Sequence, residues 1–152
     1  MEIARNAKSI LVGDNGSPEA ERAVAFAFSL ALCFQAKLVL LGVIAPLTPE
    51  QQAEGFGLDE TKHEHEQMRA RIAVAAEEGR AKGLEVTAEV VRGETREAIE
   101  HFVKDHAVDL LVIGHHDKSP LRRLLEGSTP DELAHHLRIS ILIVHSGEGQ
   151  KL

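Results

Sequence analysis

The sequence predicts an α/β fold: one five-stranded parallel sheet, doubly wound, with helices on both faces. Three observations carry this. Five short aliphatic runs alternate with stretches of helical spacing. Most of these runs are apolar at consecutive positions, the pattern of strands buried on both faces. Aromatic residues are scarce, five Phe with neither Trp nor Tyr, so the core must be built from Leu, Val, Ile and Ala. Right-handed crossovers leave few topologies for such an order, and the expected strand order is 3-2-1-4-5.

Each element follows from its residues. Residues 9–14 (SILVGD) form an apolar run ending in Asn15-Gly16-Ser17-Pro18, a strand entering a turn. Ser17 suits an N-cap and Pro18 the first helical position. Ala23, Val24, Phe26, Ala27, Leu30, Ala31 and Phe34 then recur at helical spacing. Residues 37–44 (KLVLLGVI) are the second strand, ended by Pro46 and Pro49, and residues 45–58 read as a loop. A charged helix spans 59–82, with Met68, Ile72, Ala75, Ala76 and Gly79 inward, and Gly83 closes it. Residues 85–92 (EVTAEVVR) alternate polar and apolar, as an edge strand does. Thr95 is placed to cap a third helix with Ala98, Ile99, Phe102 and Val103 inward. Residues 109–113 (DLLVI) are the fourth strand and 114–129 a long loop. A short helix over 130–137 precedes the fifth strand, 140–145 (SILIVH), and residues 146–152 form a polar tail.

Composition narrows the function. The 152 residues fit a single domain spanning 1–152. A formal charge of −7 and the lack of aromatic stacking platforms argue against nucleic acid as a partner. The apolar run over 38–47 is too short to span a bilayer, and MEIARNAKSI lacks the apolar stretch of a secretory signal. One cysteine, Cys33, allows no internal disulfide, so the expected location is a reducing cytoplasm. Cys33 lies beside Leu30 and Phe34, where a buried, inert thiol is expected.

In doubly wound sheets ligands bind beyond the carboxyl ends of the strands, where the strand order reverses. Here that is the crevice between strands one and four. The turn 13–17 meets the loop opened by Gly114 and His115 there, and the same loop returns through Gly127-Ser128-Thr129. Thr129, Pro130 and Glu132 make a capping box, and a helix start preceded by glycine presents free amide groups to an anion. Neither a P-loop nor a dinucleotide fingerprint is present. No histidine or cysteine spacing matches a metal site: the His115-His116 and His135-His136 pairs diverge, and His63 and His65 fall on different helical faces. No catalytic residues are assigned, because Ser17 and Ser128 have no His–Asp partners in evident geometry.

Three pieces of the chain resemble the universal stress protein family. Ile10 through Glu19 is similar to its opening strand and Asp-Gly-Ser-Pro-Glu turn. Lys37 through Val43 is similar to its second strand. Gly114 through Val144 resembles its Gly-x-x-Gly, nine residues, Gly-Ser segment with the helix and apolar strand that follow. The resemblance implies a Rossmann-like, adenine nucleotide alpha hydrolase-like fold and a stress-response regulator that binds ATP or AMP, with Mg²⁺. Asn15 would lie near the ribose and adenine and Val43 against the adenine, with Gly13 lining the same crevice. Gly114, His115, Gly127, Ser128 and Thr129 would surround ribose and phosphates.

The chain departs from that pattern at Asn15, which stands for Asp, at Pro130, which removes an N–H donor, and at Asp117, which stands for the second glycine. A carboxylate about 4 Å from a phosphate charge, at an effective dielectric of about 20, repels it by about 4 kcal/mol before screening. Mg²⁺, or Lys118, Arg122 and Arg123, would offset this. The alternative is a nucleotide-free homodimeric interaction module. An enzyme is the third reading, and its motifs are missing; any ATP hydrolysis would be slow, for want of a general base or arginine finger. The resemblance also implies a homodimer through the fifth strand, with Ile141, Leu142, Ile143 and Val144 at the interface.

Overall fold

The computed structural model describes residues 7–115 and 136–145. Five strands form one sheet: β1 (Ser9–Asp14), β2 (Lys37–Ile44), β3 (Val86–Arg92), β4 (Leu110–His115) and β5 (Ser140–His145). The order is β3-β2-β1-β4-β5, and every pairing is parallel, as the sequence predicts. Four helices are described: α1 (Pro18–Phe34), α2 (Pro49–Ala53), α3 (Leu58–Ala81) and α4 (Thr95–Asp105).

The sheet is buried on both faces because its central strands carry aliphatic residues at successive positions. On one face Ile10, Val12, Leu38, Leu40 and Val112 pack against Ala23, Ala27, Phe28 and Ala31 of α1 and Ala76 of α3. On the other, Leu11, Leu41, Val43, Leu111 and Ile113 pack with Ile99 and Phe102 of α4 and with Leu137. Each such aliphatic side chain contributes about 1.5–3 kcal/mol when fully buried.

Local chemistry sets the element bounds. Ser17 caps α1, its hydroxyl accepting from the Ala20 amide at 3.2 Å, and Pro18 occupies the first turn. Gln35 ends α1 in the left-handed region at φ 54°, and its amide donates to Ala31. The segment 45–58, expected as a loop, contains the single-turn helix α2. Thr48 and Gln51 form a reciprocal capping box there and Pro49 opens the turn.

Four further expectations are corrected. Phe26 faces outward at 46% exposure, and Phe28 takes the inner place, because it lies nearer the centre of the stripe formed by Ala20, Val24, Ala27 and Ala31. Cys33 is exposed rather than buried, being well around the helix from that stripe. Thr95 is the first residue of α4 and does not cap it; Glu94 holds the cap position without a side-chain hydrogen bond. Gly114 and His115 belong to β4 rather than to a loop, since pairing with β5 continues to His115↔His145.

Candidate functional site

The β1–β4 ladder is pinned at one end and open at the other. At the entry, Asp109 accepts from the Lys8 and Ser9 amides at 2.8 and 3.0 Å, and its own amide donates to Ser9. Pairing then runs Ile10↔Leu110, Leu11↔Leu111, Val12↔Val112 and stops. β1 nevertheless continues beside β2 to Asp14↔Gly42, and β4 beside β5 to His115↔His145. The strands at the centre of the sheet therefore part beyond Val12 and Val112. This is the reversal point of the strand order, where the sequence places the crevice.

The two sides of the opening are built differently. Gly114 faces α1, and a side chain there has no room: a Cβ would lie 2.6 Å from the Glu19 carbonyl carbon and closer still to its oxygen. The glycine thus lets the first turn of α1 settle on β4. Gly13 lies on the opposite face of the sheet, and a Cβ there meets nothing within 4 Å among the described residues.

Beyond Gly13 the chain turns sharply, and the turn satisfies itself. The Asp14 carboxylate accepts from the Gly16 amide at 2.9 Å, and Gly16 adopts φ 86°, which glycine reaches without steric cost. The Asn15 side-chain oxygen accepts from the Ser17 amide at 3.1 Å and from its hydroxyl at 2.6 Å. Asn15 is thereby fixed through its side-chain carbonyl oxygen. Val43, 4% exposed, is held in the core of the Gly13 face. The exit of β2 just after it is clamped by Arg92, which donates to the Ala45 carbonyl at 3.0 Å and pairs with Glu64 of α3. Gly13, Asn15, Val43 and Gly114 thus come to the carboxyl end of the central strands, with His115 ending β4. Asp117, Gly127, Ser128 and Thr129 lie outside the described residues.

Sequence reasoning missed one pair at this site. Asp14 is 4% exposed and is the one charged residue buried among those described. Arg71 reaches it from α3, Nε to Oδ1 at 3.4 Å, and also approaches Glu21 at 3.7 Å. The signal was present. Arg71 stands three residues after Met68 and four before Ala75, on the edge of the inward stripe of a helix otherwise read as a solvated face. Among the described residues no three His, Cys, Asp or Glu side chains gather as a metal site, and no helix is long and apolar enough to cross a membrane.

The chain and its fold are similar to those of known proteins. A universal stress protein of Mycolicibacterium smegmatis is 28% identical over 146 residues, covering 91% of this chain and 48% of its own length. The chain thus spans about half the length of that relative. The crystal structure of a universal stress protein in complex with cAMP is 26% identical, with a TM-score of 0.66, covering 93% of this chain and 99% of that one. The universal stress protein UspA from Lactobacillus plantarum is also 26% identical, with a TM-score of 0.63 and the same coverage. The model of the universal stress protein family matches residues 6–145, which takes in every strand of the sheet and both sides of the crevice. By that match, and by the parallel 3-2-1-4-5 sheet parted at its centre, the chain belongs to the universal stress protein family.

Proposed function

We propose that the chain binds an adenine nucleotide in the crevice between β1 and β4 and acts as a cytoplasmic stress-response regulator rather than as a fast enzyme. The observation that carries this is the parting of β1 from β4 beyond Val12↔Val112, with Gly13 opening the face beside it. The base would lie along the Gly13–Asn15 and Val43 side. Gly114 and His115, with Gly127, Ser128 and Thr129, would meet the ribose and phosphates. The cAMP complex of a relative with 26% identity supports this ligand class. With ATP, Mg²⁺ would arrive on the phosphates and relieve the charge of Asp117.

Calorimetric titration of the chain with cAMP, AMP, and ATP with Mg²⁺ tests the reading, beside Gly127→Glu and Asp117→Gly. The expected result is saturable binding by the unaltered chain, lost in Gly127→Glu, with ATP turnover far below the enzyme median of about 10 per second. No binding by the unaltered chain, with recovery in Asp117→Gly, would replace this reading with that of a nucleotide-free module.

The homodimer has its own support. β5 is an edge strand whose Ile141, Leu142 and Ile143 stay partly exposed, while Val144 is buried. An apolar edge of this kind is a template for pairing with a second copy. Light scattering during size-exclusion chromatography is expected to give twice the chain mass of 16.6 kDa. A monomer at micromolar concentration rejects the dimer and leaves the nucleotide reading intact.

A further inference from the structure

The buried Asp14 raises a difficulty for an anion site. It ends β1 at the mouth of the crevice, and its carboxylate is the one buried charge among the described residues. A buried carboxylate left without a partner is costly to the fold, and its field reaches any anion bound nearby. Arg71 answers it from a different element. Its Nε lies 3.4 Å from Asp14 Oδ1, and its guanidinium packs within 4.0 Å of where a Gly16 side chain would begin. Glu21, on the first turn of α1, faces the same guanidinium at 3.7 Å. One cation of α3 thus sits beneath the turn that lines the crevice, touching it at three successive places: the end of β1, the left-handed glycine, and the start of α1.

We propose that Arg71 is a positioning and specificity-determining residue for the nucleotide site: by cancelling the Asp14 charge, it keeps the β1–α1 turn, on the base side of the crevice, from repelling the phosphates held across it. This rests on the nucleotide reading above. It distinguishes charge cancellation from simple support of the turn. Loss of support weakens all ligands of the turn alike, whereas loss of cancellation weakens them in proportion to their charge. Asp14 keeps its turn-forming role in either case, since an asparagine there retains the oxygen that accepts from Gly16.

The test titrates adenosine, cAMP and AMP, ligands of rising negative charge, into the unaltered chain, Arg71→Met, Arg71→Lys, Asp14→Asn and the double variant Asp14→Asn/Arg71→Met. In Arg71→Met, adenosine is expected to weaken by less than about threefold, cAMP by about tenfold and AMP by more, a graded loss that follows ligand charge. Arg71→Lys keeps the charge and is expected to stay within about threefold of the unaltered chain for all three. The double variant is expected to recover AMP affinity to within about threefold, because the uncompensated carboxylate is gone. Should Arg71→Met fail to fold, Asp14→Asn carries the test: with Arg71 opposed only by the exposed Glu21, AMP is expected to bind more tightly and with a steeper salt dependence. Equal weakening of all three ligands in Arg71→Met, or AMP affinity unchanged or lower in Asp14→Asn, overturns the proposal. Failure of the unaltered chain to bind any of the three overturns the nucleotide reading itself, and Arg71 with it.

Discussion

The two glycines that flank the crevice, Gly114 on β4 and Gly13 on β1, carry the same residue for opposite reasons. Gly114 has its vacant side-chain position filled by the backbone of Glu19, so its glycine serves the packing of α1 on the sheet. Gly13 has open space there among the described residues, and it stands at neither a positive φ nor a tight approach. The contrast separates a buried glycine whose side-chain position the described residues fill from a buried glycine whose position they leave open, within a site where both were read from sequence as ligand contacts. A glycine at a strand end is therefore informative about a ligand only once the neighbouring helix has been placed.

The comparison breaks first at Gly114. Gly114→Ala drives a Cβ into the Glu19 main chain, and main chain in the first turn of a capped helix cannot swing aside as a side-chain end can. The expected loss is about 2–3 kcal/mol of unfolding free energy, typical of overpacking in a close-packed interior. Urea denaturation monitored by circular dichroism measures it. A loss under about 0.5 kcal/mol would show that α1 moves off β4 at little cost, and the two glycines would then be alike.

The strands were legible in the sequence and the helix faces only partly so. β1, β2 and β5 fall on the residues expected of them, because each aliphatic run is bracketed by turn residues or by polar ends. The strand order followed from the alternation of elements and the handedness of crossovers. β4 was read short because Gly114-His115 resembles a turn, whereas partnership with β5, which no local pattern announces, extends the strand. On α1 the small inward residues are mostly alanines, so the aromatic side chains drew the stripe too far round and misplaced Phe26 and Cys33. The expected position of the site rests on topology alone, on the order in which the strands pair. The partnership of Asp14 with Arg71 was not legible: spacing along α3 sets Arg71 at the edge of the inward stripe, but it does not name a partner 57 residues away that only the packing of α3 on the sheet supplies.

Ser17 offers a smaller and more local test. Its hydroxyl joins two hydrogen bonds, accepting from Ala20 and donating to Asn15, so it ties the helix cap to the turn beside Gly13. Ser17→Ala removes both, and about 1 kcal/mol of stability is expected to go with them, the usual cost of an N-cap deletion. Because Asn15 still accepts from the residue 17 amide in the variant, the turn itself persists. A loss of about 2 kcal/mol or more in the same denaturation, twice the ordinary cap value, would show that the hydroxyl supports the β1 side of the crevice as heavily as Gly114 supports the other.

Gly13 gives the smallest stability effect and the sharpest contrast. Its φ lies outside the left-handed region, and a methyl group would meet no described atom within 4 Å. Replacing glycine by alanine at a position whose backbone suits both narrows the unfolded ensemble and stabilises by about 0.4–1 kcal/mol. Gly13→Ala is thus expected to be neutral or slightly more stable than the unaltered chain in urea. In calorimetry the same methyl, standing in the crevice, is expected to weaken nucleotide binding. Stability and binding therefore move in opposite senses at Gly13, whereas at Gly114 the fold itself gives way. A Gly13→Ala chain as destabilised as Gly114→Ala would mean that the space over β1 is already filled, and the asymmetry between the two sides of the crevice would be lost.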